Sequence, residues 1–123
     1  MQTVFILPET TEKTICVRYT GTVTLDDFDR YHHQELLKRT NENGYFNMVV
    51  CYDKDYNGWE PAAADANLKS IVELAGNARK LAYVNPQKRK IFLMSMVNDL
   101  LVDAEIRYFD GDDYASALEW VKE

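Results

Sequence analysis

One stretch, residues 45–60, constrains the fold more than any other part of this chain. It begins as a continuous apolar run, passes into an acidic and aromatic loop that contains glycine, and then enters a segment with helical periodicity. An apolar strand of this kind is typical of a parallel sheet covered on both faces. The loop that follows such a strand lies at the edge where open α/β sheets bind ligands. The stretch therefore predicts an α/β fold with a candidate site after a buried strand.

Length and charge exclude several classes of protein. A chain of 123 residues is expected to form one domain, residues 1–123, with a genuine hydrophobic core. The net charge of −6 argues against non-specific binding to nucleic acid. The longest apolar stretch begins at Ile91 and ends at Val102, and its polar interruptions and length fall short of a transmembrane segment. Without a basic N-terminal signal region, the sequence favours a cytoplasmic protein.

The cysteine content predicts neither a disulfide nor a metal centre. Cys16 and Cys51 both lie in apolar, strand-like runs, without paired spacing and without a neighbouring histidine that would suggest zinc. We interpret them as buried, reduced thiols, and the sequence predicts no cofactor.

Strands alternate with helices in the predicted order β-β-α-β-α-β-α-β-α. This pattern predicts a mixed, mainly parallel sheet of four to five strands covered by about four helices. The first two strands are expected to form a half-exposed antiparallel pair, since apolar and polar residues alternate in the second. The predicted strands cover residues 3–7, 14–19, 45–52, 80–84 and 104–109, the last near an edge. The predicted helices cover residues 24–43, 60–75, 87–101 and the segment after residue 112.

Periodicity also predicts which helix faces are buried. Thr24 is expected to be the N-cap of the first helix, and Asn43-Gly44 to end it. The predicted inner face of that helix consists of Leu25, Phe28, His32 and Leu36. The predicted inner face of the second consists of Ala64, Leu68, Ile71 and Ala75, with Gly76 as its stop; that of the last consists of Tyr114, Leu118 and Val121. His32 is expected to be a satisfied core histidine, and its neighbour His33 to be exposed.

Several short motifs in this order resemble the SpoIIAA-like family of small bacterial proteins, which is related to the sulfate transporter and anti-sigma factor antagonist (STAS) domain. The motifs are Thr20-Gly21-x-Val23-Thr24-x-Asp26-Asp27-Phe28, the loop from Asp53 to Gly58-Trp59, Leu81-Ala82-Tyr83-Val84, Ile106-Arg107-Tyr108-Phe109-Asp110 and Ala117-Leu118-x-Trp120. The resemblance covers about residues 14–121. It implies a STAS-like sheet covered by helices, a general likeness to lipid-transfer domains of the CRAL-TRIO class, and a binding or regulatory module rather than an enzyme.

One departure from the related domains concerns their phosphorylation switch. Anti-sigma factor antagonists, which this chain resembles, carry a Ser or Thr after the strand that corresponds to residues 46–52. No Ser or Thr lies between Cys51 and Glu60 in this chain. Because the switch works by adding negative charge to that hydroxyl, a phosphorylation-switched antagonist is disfavoured.

Three strand ends are expected to meet at the carboxyl edge of the sheet, after residues 52, 84 and 109. Asn85-Pro86 is typical of a helix start, whose free N–H groups favour an anion. Residues 79–90 hold five positive residues and no negative one, which indicates either an anion site or an ordinary solvated helix start. The candidate ligand-binding residues are Asp53, Tyr56, Trp59, Asn85, Lys88 and Arg89.

The aromatic residues of the loop leave two interpretations open. Tyr56 and Trp59 could wall an apolar pocket, or Trp59 could cap the core where the loop folds back. Gly58 is expected to serve the backbone through a positive φ or a close approach.

The preferred hypothesis is a non-catalytic module that binds a small amphipathic or lipid-like ligand, apolar with an acidic group, or a protein partner. The alternative is a homodimer through the apolar helix that begins at Ile91 and ends at Val102, with no small ligand. A small hydrolase is a third hypothesis, and it requires Asp53 or Asp110 with a strongly shifted pKa.

Overall fold

The computed structural model describes residues 2–86 and 103–123, which form one five-stranded sheet in the order β1-β2-β3-β4-β5. The strands are β1 (Val4–Ile6), β2 (Thr14–Tyr19), β3 (Phe46–Tyr52), β4 (Ala78–Val84) and β5 (Glu105–Phe109). β1 pairs antiparallel with β2, and the other neighbours pair in parallel. The predicted mixed, mainly parallel fold is confirmed, with β5 at an edge.

The first helical region is interrupted by a π-helical turn that the sequence did not predict. Thr24 is the N-cap, its hydroxyl accepting the N–H of Asp27 at 3.2 Å, and α1 (Leu25–Phe28) follows. The chain continues through the π-helical turn Asp29–His33 into α2 (Gln34–Asn43), which ends at Gly44 with φ 81°. Both predicted ends of this region are confirmed, because each depends on a local cap.

The remaining described helices are α3 (Pro61–Leu74) and α4 (Tyr114–Lys122). After α3 comes a 3₁₀ turn, Ala75–Asn77, and Gly76 within it does not adopt the positive φ expected of a helix-ending glycine. The helix therefore ends next to Gly76, as predicted, but a tightened last turn closes it instead of a left-handed glycine. The helix predicted over residues 87–101 lies outside the described residues.

The sheet is covered on both faces, which corrects the prediction for β2. Along Thr14–Tyr19 every residue except Arg18 is buried. One face packs with α1, α2 and α3, and the other carries Cys16, which is 0% exposed and belongs to the same cluster as Trp120 of α4. The strand is therefore not half-exposed, because α4 covers the face that alternation had assigned to solvent.

The predicted helix faces are partly correct. In the first helical region Phe28, His32 and Leu36 are buried, but Leu25 is 43% exposed. In α3 the buried residues are Ala63, Ser70 and Leu74, and Ile71 and Ala75 pack against the core. Ala64 and Leu68 are exposed, so their assignment to the inner face is wrong. Because α3 is rich in alanine, its apolar residues do not define one face clearly. The buried face includes Ser70, so it differs from the predicted one.

A buried arginine joins α2 to the connection between β1 and β2. Arg39 is 5% exposed, and its guanidinium donates to the Thr11 carbonyl at 3.2 and 2.8 Å. It also donates to the Glu35 carboxylate one turn earlier, at 3.0 Å. These bonds fix α2 relative to the start of β2.

Candidate functional site

The carboxyl ends of β3, β4 and β5 meet at Asn85, as the sequence predicts. The Asn85 side-chain amide donates to the Tyr52 carbonyl at 3.2 Å, and its backbone N–H donates to the Phe109 carbonyl at 2.8 Å. Its side chain also lies against Gly111, where an added Cβ would come within 3.3 Å of it. Asn85 therefore connects the loop after β3 with the turn after β5.

The backbone of Asn85 differs from the predicted helix cap. Its φ is 61°, a left-handed conformation that asparagine tolerates better than most residues. An N-cap residue is usually extended, and here the side chain bonds to Tyr52 across the sheet. The helix that such a cap would start lies outside the described residues, as do the candidate residues Lys88 and Arg89.

Asp53 places a carboxylate at the same edge. Its backbone N–H donates to the Tyr19 carbonyl at 3.0 Å, and its carboxylate accepts the Lys54 N–H at 2.7 Å. The Arg18 guanidinium lies 3.9 Å from this carboxylate, and the two side chains are 45% and 38% exposed. Such an exposed pair is weak, so Asp53 can exchange Arg18 for a ligand donor at small cost.

The loop from Asp53 to Trp59 is fixed to the connection between β2 and α1. The Asn57 N–H donates to the Gly21 carbonyl at 2.7 Å, and the Val23 N–H donates to the Gly58 carbonyl at 2.9 Å. Val23 and Trp59 form a parallel bridge. Gly58 has a φ of 94°, which confirms the backbone role predicted for it. The loop is thus an ordered platform rather than a free flap.

The aromatic side chains of the loop point into the core. Tyr56 is 5% exposed, with its ring 6.3 Å from Tyr19 and 4.8 Å from Tyr52. The half-buried Trp59 ring lies 5.1 Å from Tyr19 and 5.4 Å from Phe28. Trp59 therefore caps the core, as in the second interpretation, and the aromatic rings lie beneath the loop.

The two adjacent histidines have separate, structural partners. The Tyr19 hydroxyl is hydrogen-bonded to Nδ1 of His32, and Nε2 of His32 lies 2.9 Å from the sulfur of Met48. Burial lowers the pKa of His32 to about 3, so the ring is neutral and the predicted core role is confirmed. His33 is half-buried, and its Nδ1 is hydrogen-bonded to the Ser70 hydroxyl at 2.8 Å, so its predicted exposure is wrong. Within the π turn, one ring faces the sheet and the next faces α3.

The thiols are poorly suited to nucleophilic chemistry. Burial raises the pKa of Cys16 to about 11 and that of Cys51 to about 12, so both remain protonated near neutral pH. Within residues 2–86 and 103–123, no three His, Cys, Asp or Glu side chains are grouped to hold a metal ion. In the same part of the chain, no helix has the length and apolar character needed to span a membrane.

Two residues of the basic run noted in the sequence, Arg79 and Lys80, lie at the opposite edge of the sheet from Asn85. Arg79 and Lys80 lie at the start of β4, whereas Asn85 follows its end. A strand of this length separates the two ends by about 20 Å. Arg79 and Lys80 therefore do not join the carboxyl edge, and they line a cleft at the amino edge that the sequence did not reveal. Strand direction could have predicted that these two residues lie at the amino edge, since both precede the apolar part of β4.

Comparison with known proteins identifies one family. The SpoIIAA-like family profile matches residues 14–122, which is most of the chain. No curated protein and no solved structure matches the chain. The match spans β2 through α4 and includes the loop after β3 and the junction at Asn85. The chain therefore belongs to the SpoIIAA-like family.

Proposed function

We propose that this protein is a non-catalytic, regulatory binding module whose ligand binds at the carboxyl edge of the sheet. The observation that carries the proposal is the junction at Asn85, which brings the loop of Asp53 next to the turn after β5. Membership of the SpoIIAA-like family favours a STAS-like regulatory module. Open α/β sheets bind ligands at this edge, because the loops after parallel strands converge there.

The proposed ligand is small and amphipathic, apolar with an acidic group, or is an equivalent segment of a protein partner. Its apolar part would contact Trp59, which is half-buried at this edge of the sheet. Its acidic group would be held by Asn85 and by Lys88 and Arg89, which follow Pro86 in the sequence. Asp53 would accept a hydrogen bond from a donor on the ligand.

The environments of Cys16, Cys51 and His32 support a binding role. Both thiols are kept protonated by burial, and the neutral His32 is enclosed between Tyr19 and Met48. A general base has to reach the proton that it removes, and an imidazole enclosed in the core cannot do so. These groups stabilise the core around the site and would not act on a ligand.

Native mass spectrometry of the purified protein tests this proposal. We expect a retained small-molecule mass that is absent from the denatured spectrum and is lost in Asp53→Ala and Arg89→Ala. Lys38→Ala, an exposed change on α2, is the matched control and should keep the mass. Trp59→Ala is a poor probe, because that ring packs against Tyr19 and Phe28 and its loss would disturb the core.

Other outcomes would overturn the proposal. A dimer that carries no small-molecule mass would favour the homodimer hypothesis instead. The residues predicted to form that interface, 91–102, lie outside the described residues. Demonstrated turnover that Asp53→Asn abolishes would show that the module is an enzyme.

A further inference from the structure

A second candidate site lies at the opposite, amino edge of the sheet. A cleft of about 470 Å³ opens between the starts of β2, β3 and β4 and the end of α4. This volume is within the range of small-molecule sites in proteins. Its lining includes basic side chains, a hydroxyl and an aromatic ring, among them Lys13, Arg79, Lys122, Thr11 and Tyr45.

The cleft is basic, although the chain as a whole is acidic. Its lining carries Lys13, Arg79, Lys80 and Lys122 against one acidic side chain, Glu123. The whole chain has 14 basic and 20 acidic residues. Because a cleft with low-dielectric walls focuses the field of the charges that line it, this concentration of cations attracts an anion.

Lys80 has a structural role within this cluster. Its ammonium group donates to the backbone oxygens of Trp120 and Glu123, both at 3.1 Å, and lies 3.9 Å from the Glu105 carboxylate. It thereby caps the end of α4 and forms the inner wall of the cleft. Its charge is partly compensated, so ligand binding depends on the other cations.

The other cations retain donors for a ligand. One terminal nitrogen of Arg79 donates to the Gly76 and Ala78 carbonyls, and the guanidinium lies 5.9 Å from the centre of the Tyr45 ring. Within residues 2–86 and 103–123, no carboxylate forms an ion pair with Lys13, Arg79 or Lys122. Arginine and lysine without carboxylate partners are the groups that bind phosphate oxygens.

Thr11 adds a hydroxyl donor to this edge. Its oxygen accepts the backbone N–H groups of Lys13 and Thr14, at 3.4 and 3.1 Å. Since both bonds use the oxygen as acceptor, its own hydrogen remains to be donated to an anion. Tyr45 and Val121 are the apolar residues of the lining.

We infer that this cleft binds an organic phosphate: Arg79, Lys13 and Lys122 hold the phosphate dianion, and Tyr45 contacts the organic group. A cleft of this volume is larger than inorganic phosphate needs, and its lining has an apolar part besides the basic one. The site is separate from the proposed ligand site at Asn85, because the length of β4 lies between them. Either site can therefore be lost without the other.

The test is an NMR titration of the ¹⁵N-labelled protein with phenyl phosphate, with phenol as the uncharged probe. We expect saturable shifts of the amides of Lys13, Asn47 and Lys80 with phenyl phosphate and none with phenol. Arg79→Gln/Lys122→Gln should weaken binding at least about tenfold, because the change removes two charge-assisted hydrogen bonds to the phosphate.

The control is Arg30→Gln/Lys69→Gln, which removes the same charge from side chains that are 61% and 77% exposed outside the cleft. It should leave the affinity unchanged. Equal weakening in both double variants, shifts spread over the surface, or no saturation would overturn the inference.

Vesicles of phosphatidylcholine with and without phosphatidic acid distinguish a free phosphate from a lipid headgroup. Co-sedimentation with phosphatidic acid that Arg79→Gln/Lys122→Gln abolishes would assign the site to a headgroup. Binding of phenyl phosphate alone would assign it to a soluble organic phosphate. Binding of neither would overturn the inference.

Discussion

His32 shows how one titratable residue can belong wholly to the core. It is 3% exposed and lies between the Tyr19 hydroxyl and the Met48 sulfur, on the face of the sheet covered by the first helical region. Burial lowers its pKa from 6.5 to about 3, so the folded chain holds the neutral ring. Protonation therefore favours the unfolded chain.

This difference predicts a pH-dependent stability. Between pH 6.5 and 3 the unfolded chain binds the His32 proton and the folded chain does not, so stability falls as the pH falls. From about pH 7 to about pH 5, His32 should account for a loss of about 2 kcal/mol in the free energy of unfolding. Urea denaturation at both pH values measures it.

The control for this prediction is a side chain that cannot titrate. His32→Gln should be less stable than the natural protein at neutral pH but should lose about 2 kcal/mol less on acidification. In His33→Gln, the free energy of unfolding should fall with pH as steeply as in the natural protein. Parallel pH curves for the natural protein and His32→Gln would contradict the assigned role.

At the scale of elements, a few long side chains decide how helices sit on the sheet. The π turn lets His32 bond to β2 and lets His33 bond to Ser70 of α3. Arg39 fixes α2 to the connection before β2 through two bonds to the Thr11 carbonyl. Each contact joins elements that are distant in sequence.

Arg39→Met tests the last of these contacts. Removing the guanidinium leaves the Thr11 carbonyl and the partly buried Glu35 carboxylate without their donor. We expect a loss of about 2–4 kcal/mol in the free energy of unfolding, measured by urea denaturation. Arg30→Met, whose side chain is 61% exposed, should cost less than about 0.5 kcal/mol. Similar losses in the two variants would show that the buried Arg39 contributes no more to stability than an exposed arginine.

At the scale of the whole molecule, one sheet carries two helical layers. Trp59 belongs to the cluster under α1, α2 and α3, and Trp120 belongs to the cluster under α4. Both clusters use side chains from the same strands: Val50 faces one and Val49 faces the other. If one helical layer unfolded, it would expose the sheet on which the other layer packs. The two layers should therefore unfold together.

Single-tryptophan variants test this cooperativity. Trp120→Phe leaves Trp59 to report on one face, and Trp59→Phe leaves Trp120 to report on the other. In each variant, we expect fluorescence and far-ultraviolet circular dichroism to give the same urea midpoint, as a two-state domain requires. If the fluorescence of Trp120 changed at a lower urea concentration than the circular dichroism signal, the prediction of a single domain would be contradicted.

The sequence by itself determined the features that depend on neighbouring residues. The apolar run of β3, the cap at Thr24, the left-handed stop at Gly44 and the positive φ of Gly58 each follow from local sterics and hydrogen bonds. The order of the described strands and helices followed as well, because periodicity is a local property. The convergence of strand ends at Asn85 followed from that order and from the rule for parallel sheets.

Only the tertiary structure decided which faces are buried and which charges lie together. Alternation in β2 indicated a solvent-facing side, but α4, far along the chain, covers it. Ser70 is buried because His33 of another helix bonds to it. Arg79 and Lys80 are close in sequence to Lys88 and Arg89, but the length of β4 places the first two at the amino edge with Lys13 and Lys122. Burial and electrostatic fields depend on elements that pack together from distant parts of the chain, and local patterns do not contain that information.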